Sequence, residues 1–383
     1  MRFLTAGESH GPALTVIIEG LPAGFQLSVD KINRQLARRQ QGYGRGQRMG
    51  IEQDQVTIWS GLRSGKTMGS PLTMQIENRD YANWQRTMHP IHEVTEPRPV
   101  VCPRPGHADY AGGLKYDAND LREVLERASA RETAARVAVG GVARQLLAAL
   151  GVSVHSRVIA IGTVSAPPDL PWEDEQAEQS PLRCPDRDIS REMSGEVDRA
   201  MQTGDSVGGA FQVAVRGLPA GVGSPMHWDR RLDGLLAQAM ISIPAIKAVE
   251  IGAGVRQSRV PGSQAHDEFS VSNGAVARPS NHAGGIEGGM SNGAPILLTC
   301  FMKPIPSIVK PLQSFRWHTR QPAIAARERA DACAVPAASI VGEAMAAWVV
   351  CDQLLHQLGG DQWKQVVERM ERLRVGQAWV GPT

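Results

Sequence analysis

Residues 13–24 read ALTVIIEGLPAG, and residues 210–221 read AFQVAVRGLPAG. Each stretch is an apolar run of strand length that ends in the same glycine- and proline-containing turn. A helical pattern follows each turn, and Ser28 is placed to cap the first of these helices. The repeated order therefore predicts two related strand–helix–strand halves, about residues 1–150 and 200–360.

A second match supports the repeat, because GSPL at 69–72 and GAPI at 293–296 each precede an apolar run. Chance similarity of the pentapeptide is the alternative. No long linker separates the halves, so we expect a single domain over residues 1–383. Helices and antiparallel-type strands mix without regular alternation, which predicts an α+β fold. Proline and charge without apolar periodicity predict an exposed insertion at about 166–196.

Apolar runs of strand length occur along the whole chain, and two longer stretches have helical periodicity. The predicted helices cover 120–149 and 337–357, with Asn119 or Asp120 as the cap of the first and Glu123 closing a capping box. The predicted strands lie near 13–19, 55–59, 72–77, 152–163, 210–216, 247–253 and 295–301.

Composition and charge exclude several classes of protein. Hydrophobic residues make up 42% of the 383, enough for a substantial core, and the net charge of +2 argues against a nucleic-acid partner. The most apolar late run, from Ile340 to Leu355, contains Glu343 and Asp352. We therefore expect a packed helix there and no membrane partner.

The cysteines favour a reducing compartment. They occur without any CxxC pair, so neither a disulfide framework nor a metal site is expected. The five are Cys102, Cys184, Cys300, Cys333 and Cys351. The N-terminal sequence MRFLTAGESHG has no apolar core of signal-peptide length, which also favours a cytoplasmic protein.

The stretch GLRSGKT at 61–67 follows a strand pattern and has the look of a phosphate-binding loop. That motif needs four residues between its glycines, whereas three separate Gly61 from Gly65. Pro71 also breaks the helix whose N-terminus would hold the phosphate. We therefore interpret the stretch as a turn between strands.

Two histidines lie beside glycines near predicted strands, His10 in GESHG and His107 in GHAD. Histidine titrates near neutral pH and acts as a general acid or base in many enzymes. Asp109, two residues after His107, is placed to orient or charge that ring. An ordinary hydrogen-bonded loop histidine remains the alternative for each.

Arginines cluster in two segments. At 38–48, RRQQGYGRGQR has three interpretations: an RNA-binding tract, a solvated helix end, or a mobile lid whose arginines close over an anionic small molecule. At 127–133, RASARET places two arginines four residues apart, so they share one face if the run is helical. A surface helix with ion pairs such as Glu123–Arg127 and Glu132–Arg136 is the alternative for the second segment.

Three later segments are also candidates for ligand contact. The glycine-dense stretch at 284–293 suits a turn or a close approach of backbone to ligand. KPIPS at 303–307 could hold a phosphate through its lysine and serine, or form an edge strand. RERAD at 327–331 mixes charges before the C-terminal apolar helix, and a solvated approach to that helix is its alternative.

The ordered set of motifs resembles the chorismate synthase family over about residues 1–357. The motifs are GESHG, RRQQGYGR, RPGHADY, RASARETA, HAGGIEGGMSNG, KPIPS and ERADACAVPAA. The resemblance implies a β-α-β sandwich of antiparallel sheets around central helices, built from two related halves. It also implies a homotetramer.

By the same resemblance, the chain would convert 5-enolpyruvylshikimate 3-phosphate into chorismate by 1,4-elimination of phosphate. This is the last common step of the shikimate pathway of aromatic amino acid biosynthesis. Reduced FMN would be the cofactor and a transient electron donor, with no net redox change. The small-molecule substrate has two carboxylates and a phosphate, which accounts for the arginines. NADPH is an open source of reducing equivalents, but the lack of a GxGxxG fingerprint favours a separate flavin reductase.

The resemblance also assigns roles to individual residues. His10 would protonate the leaving phosphate, His107 would protonate the reduced flavin, and Asp331 would assist removal of the ring proton. The implied flavin contacts are Arg127, Ala128, Ser129, Pro244, Ala245, Gly288, Lys303, Pro304, Ile305, Pro306, Ser307 and Arg329. The anion-binding candidates are Arg39 and Arg45, for NADP or the substrate, and Arg48, Arg104 and Arg131, for the substrate.

The sequence departs from the family's pattern at Ala330, where many members have histidine, so no role is expected there. Pro244 would contribute only its backbone. Two other classes stay open as alternatives. A nucleic-acid-binding protein using 38–48 is disfavoured by the near-neutral charge and the lack of repeated aromatics. An inactive binding scaffold is disfavoured because all three implied catalytic residues are present.

Overall fold

The structure is a computed structural model, and it describes residues 1–46, 51–168, 170–272, 275–310, 312–328 and 331–377. Its helices are α1 (Val29–Gln40), α2 (Gln85–Met88), α3 (Asp109–Tyr116), α4 (Arg122–Ala128), α5 (Thr133–Ala149), α6 (Asp174–Gln179), α7 (Arg187–Thr203), α8 (Leu232–Ile241), α9 (Gly262–Ala265), α10 (Val335–Leu358) and α11 (Trp363–Gln377). Its strands are β1 (Arg2–Ala6), β2 (Ala13–Glu19), β3 (Val56–Ser60), β4 (Leu62–Arg63), β5 (Lys66–Thr67), β6 (Leu72–Glu77), β7 (Ser153–Ile161), β8 (Val164–Ser165), β9 (Gly209–Arg216), β10 (Ile246–Ile251), β11 (Ser270–Ser272), β12 (Ala275–Ala277), β13 (Ile286–Glu287), β14 (Met290–Ser291), β15 (Ile296–Met302), β16 (Gln313–Phe315) and β17 (Pro322–Ile324).

The longer strands form two antiparallel sheets. The first has the order β1-β2-β6-β3, and its register pairs Leu4 with Ile17 and Ile17 with Thr73. The second has the order β10-β15-β9-β7-β8, and its register pairs Ile296 with Val215. The predicted strands and the α+β class are confirmed, since every predicted strand overlaps an observed one.

The two GLPAG turns have matching geometry. The first glycine of each turn has a positive φ, +85° and +79°, which glycine adopts without strain. The carbonyl oxygen of Pro22 accepts a hydrogen bond from the Thr67 hydroxyl at 2.6 Å. The carbonyl oxygen of Pro219 accepts one from the Ser291 hydroxyl, also at 2.6 Å. Each turn is therefore tied in the same way to a short hairpin, β4–β5 in one case and β13–β14 in the other.

Helices α5 and α10 form the centre of the core. α5 packs on β1, β2 and β6, and α10 packs on β7 and β9. The two helices approach closely at Gly140, where a Cβ atom would lie 2.3 Å from Ala344. Among the described residues, α10 is the helix long and apolar enough to cross a membrane, but 94% of its most apolar stretch is buried inside the protein. Its apolar length is therefore explained by its place in the core.

Glu343 on α10 is a buried acid that joins several elements. Its carboxylate forms ion pairs with Arg38 at 2.7 Å, Arg144 at 2.6 Å and Arg183 at 3.2 Å. Burial alone would raise the pKa of Glu343, but the three guanidinium groups outweigh burial and hold that pKa well below its usual range. Because Arg38 belongs to α1 and Arg144 to α5, the cluster fixes three helices together.

The structure corrects the prediction of an exposed insertion at 166–196. This segment contains α6 and the first half of α7, and it buries Leu182, Cys184 and Met193. Arg183 also reaches Glu343. The sequence pattern was misleading because the segment is anchored by a few apolar side chains and by buried charge, without a long apolar run.

The predicted helix at 120–149 is interrupted. α4 ends at Ala128, the next residue Ser129 is extended with φ of −68° and ψ of 143°, and α5 begins at Thr133. Asp120 does not cap α4 as predicted, although its Oδ1 accepts hydrogen bonds from the backbone N–H groups of Val100 and Arg122. The predicted helix at 337–357 and the Ser28 cap of α1 are confirmed.

Candidate active site

A cavity of about 610 Å³ brings together segments from both ends of the sequence. The predicted site residues that line it are His10, Arg39, Arg45, Arg104, His107, Ala128, Ser129, Arg131, Pro244, Ala245, Lys303, Ile305, Pro306, Ser307 and Asp331. Apolar side chains, among them Ile243, Ala337 and Val341, complete the wall. An apolar wall with convergent polar groups is typical of a small-molecule site.

His10 lies in the loop after β1 and is held by Glu126 of α4. Its Nδ1 is 2.9 Å and 3.1 Å from the two carboxylate oxygens of Glu126, and its backbone N–H donates to the same carboxylate at 2.7 Å. The backbone N–H of Ser9 donates to the carbonyl of Glu126 at 2.9 Å. Because a carboxylate only accepts, Nδ1 carries the proton in this contact.

His107 is held in a similar way by Asp109, the first residue of α3. Its Nδ1 lies 2.5 Å from Oδ1 of Asp109, and Arg104 donates to the same carboxylate through its backbone N–H, Nε and Nη2 at 2.8–3.0 Å. Gly106, with φ of +80°, turns the chain between them. Burial raises the pKa of Asp109, but the bonds from His107 and Arg104 outweigh it and hold that pKa well below its usual range.

Two arginines of the cavity share one buried acid, Asp54. Arg39 Nη2 donates to one carboxylate oxygen at 3.0 Å, and Arg131 Nη1 donates to the other at 2.5 Å. Arg131 Nε donates further to Asn78 Oδ1 at 2.8 Å. Burial lowers the pKa of Arg39 to about 10, although Asp54 opposes this shift. Arg39 therefore stays charged at neutral pH, and the shared carboxylate holds both arginines rigidly.

The Nε donor of Arg39 suggests a contact with a ligand. Its Nε is buried and has no hydrogen-bond partner among the described residues. A buried donor without a partner costs about 1–3 kcal/mol, so such a group in a cavity wall suits an anion that accepts from it. Because Arg39 is only 4% exposed, the interpretation of this segment as a solvated helix end is wrong at this position.

Asp331 comes from the opposite end of the chain and meets the segment after α1. Its Oδ2 accepts from Arg45 Nη1 at 2.5 Å, and its Oδ1 accepts from the backbone N–H of Gly46 at 2.6 Å. The backbone N–H of Ala332 donates to the carbonyl of Gly44 at 2.8 Å. Arg45 and Asp331 are thus fixed against each other beside the cavity.

The KPIPS segment at 303–307 is hydrogen-bonded to the loop that carries His107. Lys303 Nζ donates to the carbonyl of Gly106 at 2.6 Å, and Arg104 Nη1 donates to the Ser307 hydroxyl at 2.7 Å. A Cβ atom at Gly106 would lie 3.2 Å from that lysine nitrogen. The two loops therefore form one continuous part of the cavity wall.

Comparisons with known proteins identify the family to which this chain belongs. The family model described as chorismate synthase matches residues 1–355. A chorismate synthase from Moorella thermoacetica is 52% identical over 376 residues, which cover 98% of this chain and 98% of that relative. One from Geobacillus sp. is 50% identical over 382 residues, with 98% of each chain covered. The chain belongs to the chorismate synthase family.

A solved relative supports the same assignment. A crystal structure of chorismate synthase matches with a TM-score of 0.79 at 41% identity, covering 99% of this chain and 98% of that one. The resemblance found in the sequence is confirmed. As a chorismate synthase family member, the protein is a lyase that converts 5-enolpyruvylshikimate 3-phosphate into chorismate in the shikimate pathway. The nucleic-acid-binding and inactive-scaffold alternatives are set aside.

Some residues implied by the chorismate synthase resemblance do not line the cavity. Arg127 is exposed, and its guanidinium donates to the carbonyl oxygens of Thr5 and Gly7 instead. Gly288 is exposed at the tip of the β13–β14 hairpin. Pro304 is also absent from the lining. The predictions for Arg48 and Arg329, and the departure at Ala330, lie outside the described residues.

The arginines of 127–133 do not share a helical face. The helix breaks at Ser129, so Arg127 points away from the cavity while Arg131 is buried beside it. The predicted alternative is right in one detail, since Arg136 Nε pairs with Glu132 at 2.9 Å. Extended backbone at Ser129 lets its hydroxyl lie 3.1 Å from that of Ser9.

Sequence reasoning missed three residues that build the chorismate synthase site. Glu126 binds His10, Asp54 joins two cavity arginines, and Trp84 lies against the His10 ring with the centroids 4.1 Å apart. Glu126 had a weak signal, because it stands next to the RASARETA motif. Asp54 lies 15 and 77 residues from its two arginine partners, and no local pattern marks it. Trp84 is far from His10 in the chain and is likewise unmarked.

Proposed function

We propose that the protein carries out its elimination in this cavity with reduced FMN as the cofactor. One observation carries the proposal: His10, His107 and Asp331 come from distant parts of the sequence and line the same cavity. The volume of about 610 Å³ lies within the range of roughly 300–1,000 Å³ that holds cofactor-sized ligands. The arginines and the apolar wall supply what a phosphorylated dicarboxylate and a flat ring system require.

His10 is proposed to protonate the departing phosphate. Glu126 occupies Nδ1, so the protonated ring delivers its second proton from Nε2. Side-chain proton transfer of this kind contributes roughly 10²- to 10⁴-fold to the rate. His107, with its Nδ1 against Asp109, is proposed to hold a proton at the reduced ring system in the same manner.

The cavity arginines are proposed to bind the substrate anions. Arg39, Arg104 and Arg131 are each fixed by a buried acid, so little side-chain entropy is lost when a ligand binds. The open Nε donor of Arg39 supports a direct contact. Fixed cations also stabilise negative charge that develops on the leaving phosphate. Arg45 is placed for the same task beside Asp331.

The residues present fit FMN. The flavin would be held by the small residues Ala128 and Ser129, by the backbone at 244–245, and by the 303–307 segment with its lysine and serine. When bound, reduced FMN supplies transient electron density that assists departure of the phosphate. Asp331 is proposed to assist removal of the ring proton. Apolar wall residues exclude water from the reacting groups.

An anaerobic assay tests this proposal. Substrate added to enzyme with dithionite-reduced FMN should release phosphate together with chorismate, whereas oxidised FMN should give none. No phosphate release despite intact substrate binding would overturn it. Aerobic turnover with NADPH alone should be absent, because reduced flavin is proposed to come from a separate reductase. Turnover under those conditions would instead assign flavin reduction by NADPH to this chain.

We infer that the architecture is a single-domain β-α-β sandwich built from two related halves. The matching hydrogen bonds of Thr67 and Ser291 to the two GLPAG turns support the repeat. Packing of α5 on one sheet and of α10 on the other supports the layered arrangement.

A homotetramer in the cytoplasm is proposed on the family resemblance and the free cysteines. Light scattering should give four times the chain mass.

A further inference from the structure

Glu126 is a buried acid on which three donors converge. The backbone N–H of His10, its Nδ1 and Nη1 of Arg122 all lie within 3.1 Å of the carboxylate oxygens. Only 2% of Glu126 is exposed, so water does not compete for these bonds. The carboxylate therefore faces the His10 ring and is fully used by its neighbours.

Arg122 fixes the charge of this acid from one helical turn away. Its Nη1 donates to Glu126, its Nη2 to Glu328 at 3.2 Å, and its Nε to the carbonyl of Arg98 at 2.5 Å. Burial works against ionisation of Glu126, but the bonds from His10 and Arg122 outweigh it, so its pKa is lowered. Glu328 belongs to the cavity wall, so the ion-pair chain runs from there to His10.

Trp84 packs against the ring of His10. Its ring centroid lies 4.1 Å from that of His10 at a 35° angle, and Trp84 is itself buried. The guanidinium groups of Arg98 and Arg122 lie over the same indole at 4.6 Å and 5.0 Å. The ring contact with Trp84 therefore fixes the plane of the imidazole, and the bond to Glu126 fixes its rotation within that plane.

We propose that Glu126 is the positioning residue of His10. It holds the ring in the Nδ1–H form, turns Nε2 to the reacting phosphate, and stabilises the imidazolium before the proton is transferred. This inference rests on the proposed role of His10 as the acid. A glutamine could not replace it, because an amide has one acceptor oxygen and would present its NH₂ group to one of the converging donors.

Four variants in the holoenzyme test the proposal: Glu126→Gln, Glu126→Asp, His10→Ala and the double variant. Glu126→Gln should lower kcat by roughly 10- to 100-fold, as loss of an orienting carboxylate does elsewhere, with KM changed less than about twofold. Glu126→Asp keeps the charge and should recover part of this loss. Glu123→Gln is the matched control: the same change on the solvent-exposed side of α4, with wild-type kcat expected.

The double variant separates positioning from general stability. If Glu126 acts through His10, then Glu126→Gln added to His10→Ala should cause no further loss of kcat. A further loss equal to that in the wild-type background would overturn the proposal, as would a rise in KM that accounts for the whole fall in kcat/KM. Should the glutamine variant fail to fold, Glu126→Asp decides, because wild-type kcat in it contradicts a positioning role.

The same measurements distinguish failure of the positioning role of Glu126 from failure of the proposed acid role of His10. Wild-type kcat in Glu126→Gln with a large loss in His10→Ala would remove only Glu126. Wild-type kcat in His10→Ala would remove the proposed acid itself, and with it the basis for a positioning residue.

Discussion

His10 and His107 are held by the same chemical arrangement at different sequence distances. Each ring uses Nδ1 to contact a buried carboxylate that also binds an arginine, Arg122 in one case and Arg104 in the other. His107 and its acid are two residues apart, whereas His10 and Glu126 are separated by 116. One group is built within a single loop, and the other requires two distant segments to pack.

This difference separates local from global requirements of the site. The His107 group depends on the turn at Gly106 and on the bonds that Arg104 makes to Asp109. The His10 group depends on α4 ending at Ala128 and packing beside the loop after β1. We therefore expect the His107 group to survive partial loosening of the fold, and the His10 group to lose its geometry first.

Removing either ring is the strongest test of the comparison. His10→Ala and His107→Ala should each lower kcat by about 10²- to 10⁴-fold, because each is proposed to carry a transferred proton. FMN affinity should change far less than turnover. Single-turnover assays with reduced FMN, together with flavin binding, measure both quantities, and wild-type turnover would remove that histidine from proton transfer.

Removing the local acid should mainly cost stability. Asp109→Asn leaves the Arg104 guanidinium buried without its counter-ion, so the free energy of unfolding should fall by about 3–5 kcal/mol. Urea unfolding measures it. Asp117→Asn, on the exposed end of the same helix, is the control and should stay within about 0.5 kcal/mol of the wild type.

The stability difference between wild type and Asp109→Asn should depend on pH. The pKa of Asp109 is lower in the folded state than in the unfolded chain, so its contribution is complete above about pH 4 and decreases as the pH falls through the folded value. Urea unfolding at a series of pH values should show the two proteins converging in acid. A difference that stays constant down to acid pH would contradict the ionised, bonded state of Asp109.

The smallest expected effect concerns the hydrogen bond between the 303–307 segment and the loop that carries His107. Ser307→Ala removes the acceptor of Arg104 Nη1, a single hydrogen bond to a charged donor worth roughly 1.5–3 kcal/mol at most, and less where water can replace the hydroxyl. We expect the free energy of unfolding and the substrate affinity to fall modestly, with kcat little changed. An equal loss of kcat in this variant and in His10→Ala would show that the two groups are not independent.

The sequence predicted the local parts of the site and missed those formed by packing. The strands, the GLPAG repeat and the orienting acid beside His107 follow from residues close to one another in the chain. Glu126 was missed despite its place next to the RASARETA motif, because its partner lies 116 residues away and α4 ends where continuous helical periodicity was expected. Burial at 166–196 was missed because its anchors are Arg183 and a few scattered apolar side chains.

A crystal structure with 5-enolpyruvylshikimate 3-phosphate and oxidised FMN, which holds the complex before phosphate release, tests the central claim most directly. We predict both ligands in the 610 Å³ cavity, with the substrate phosphate within hydrogen-bond distance of His10 Nε2 and Nδ1 still against Glu126. A phosphate out of reach of His10, or ligands bound outside this cavity, would contradict the account.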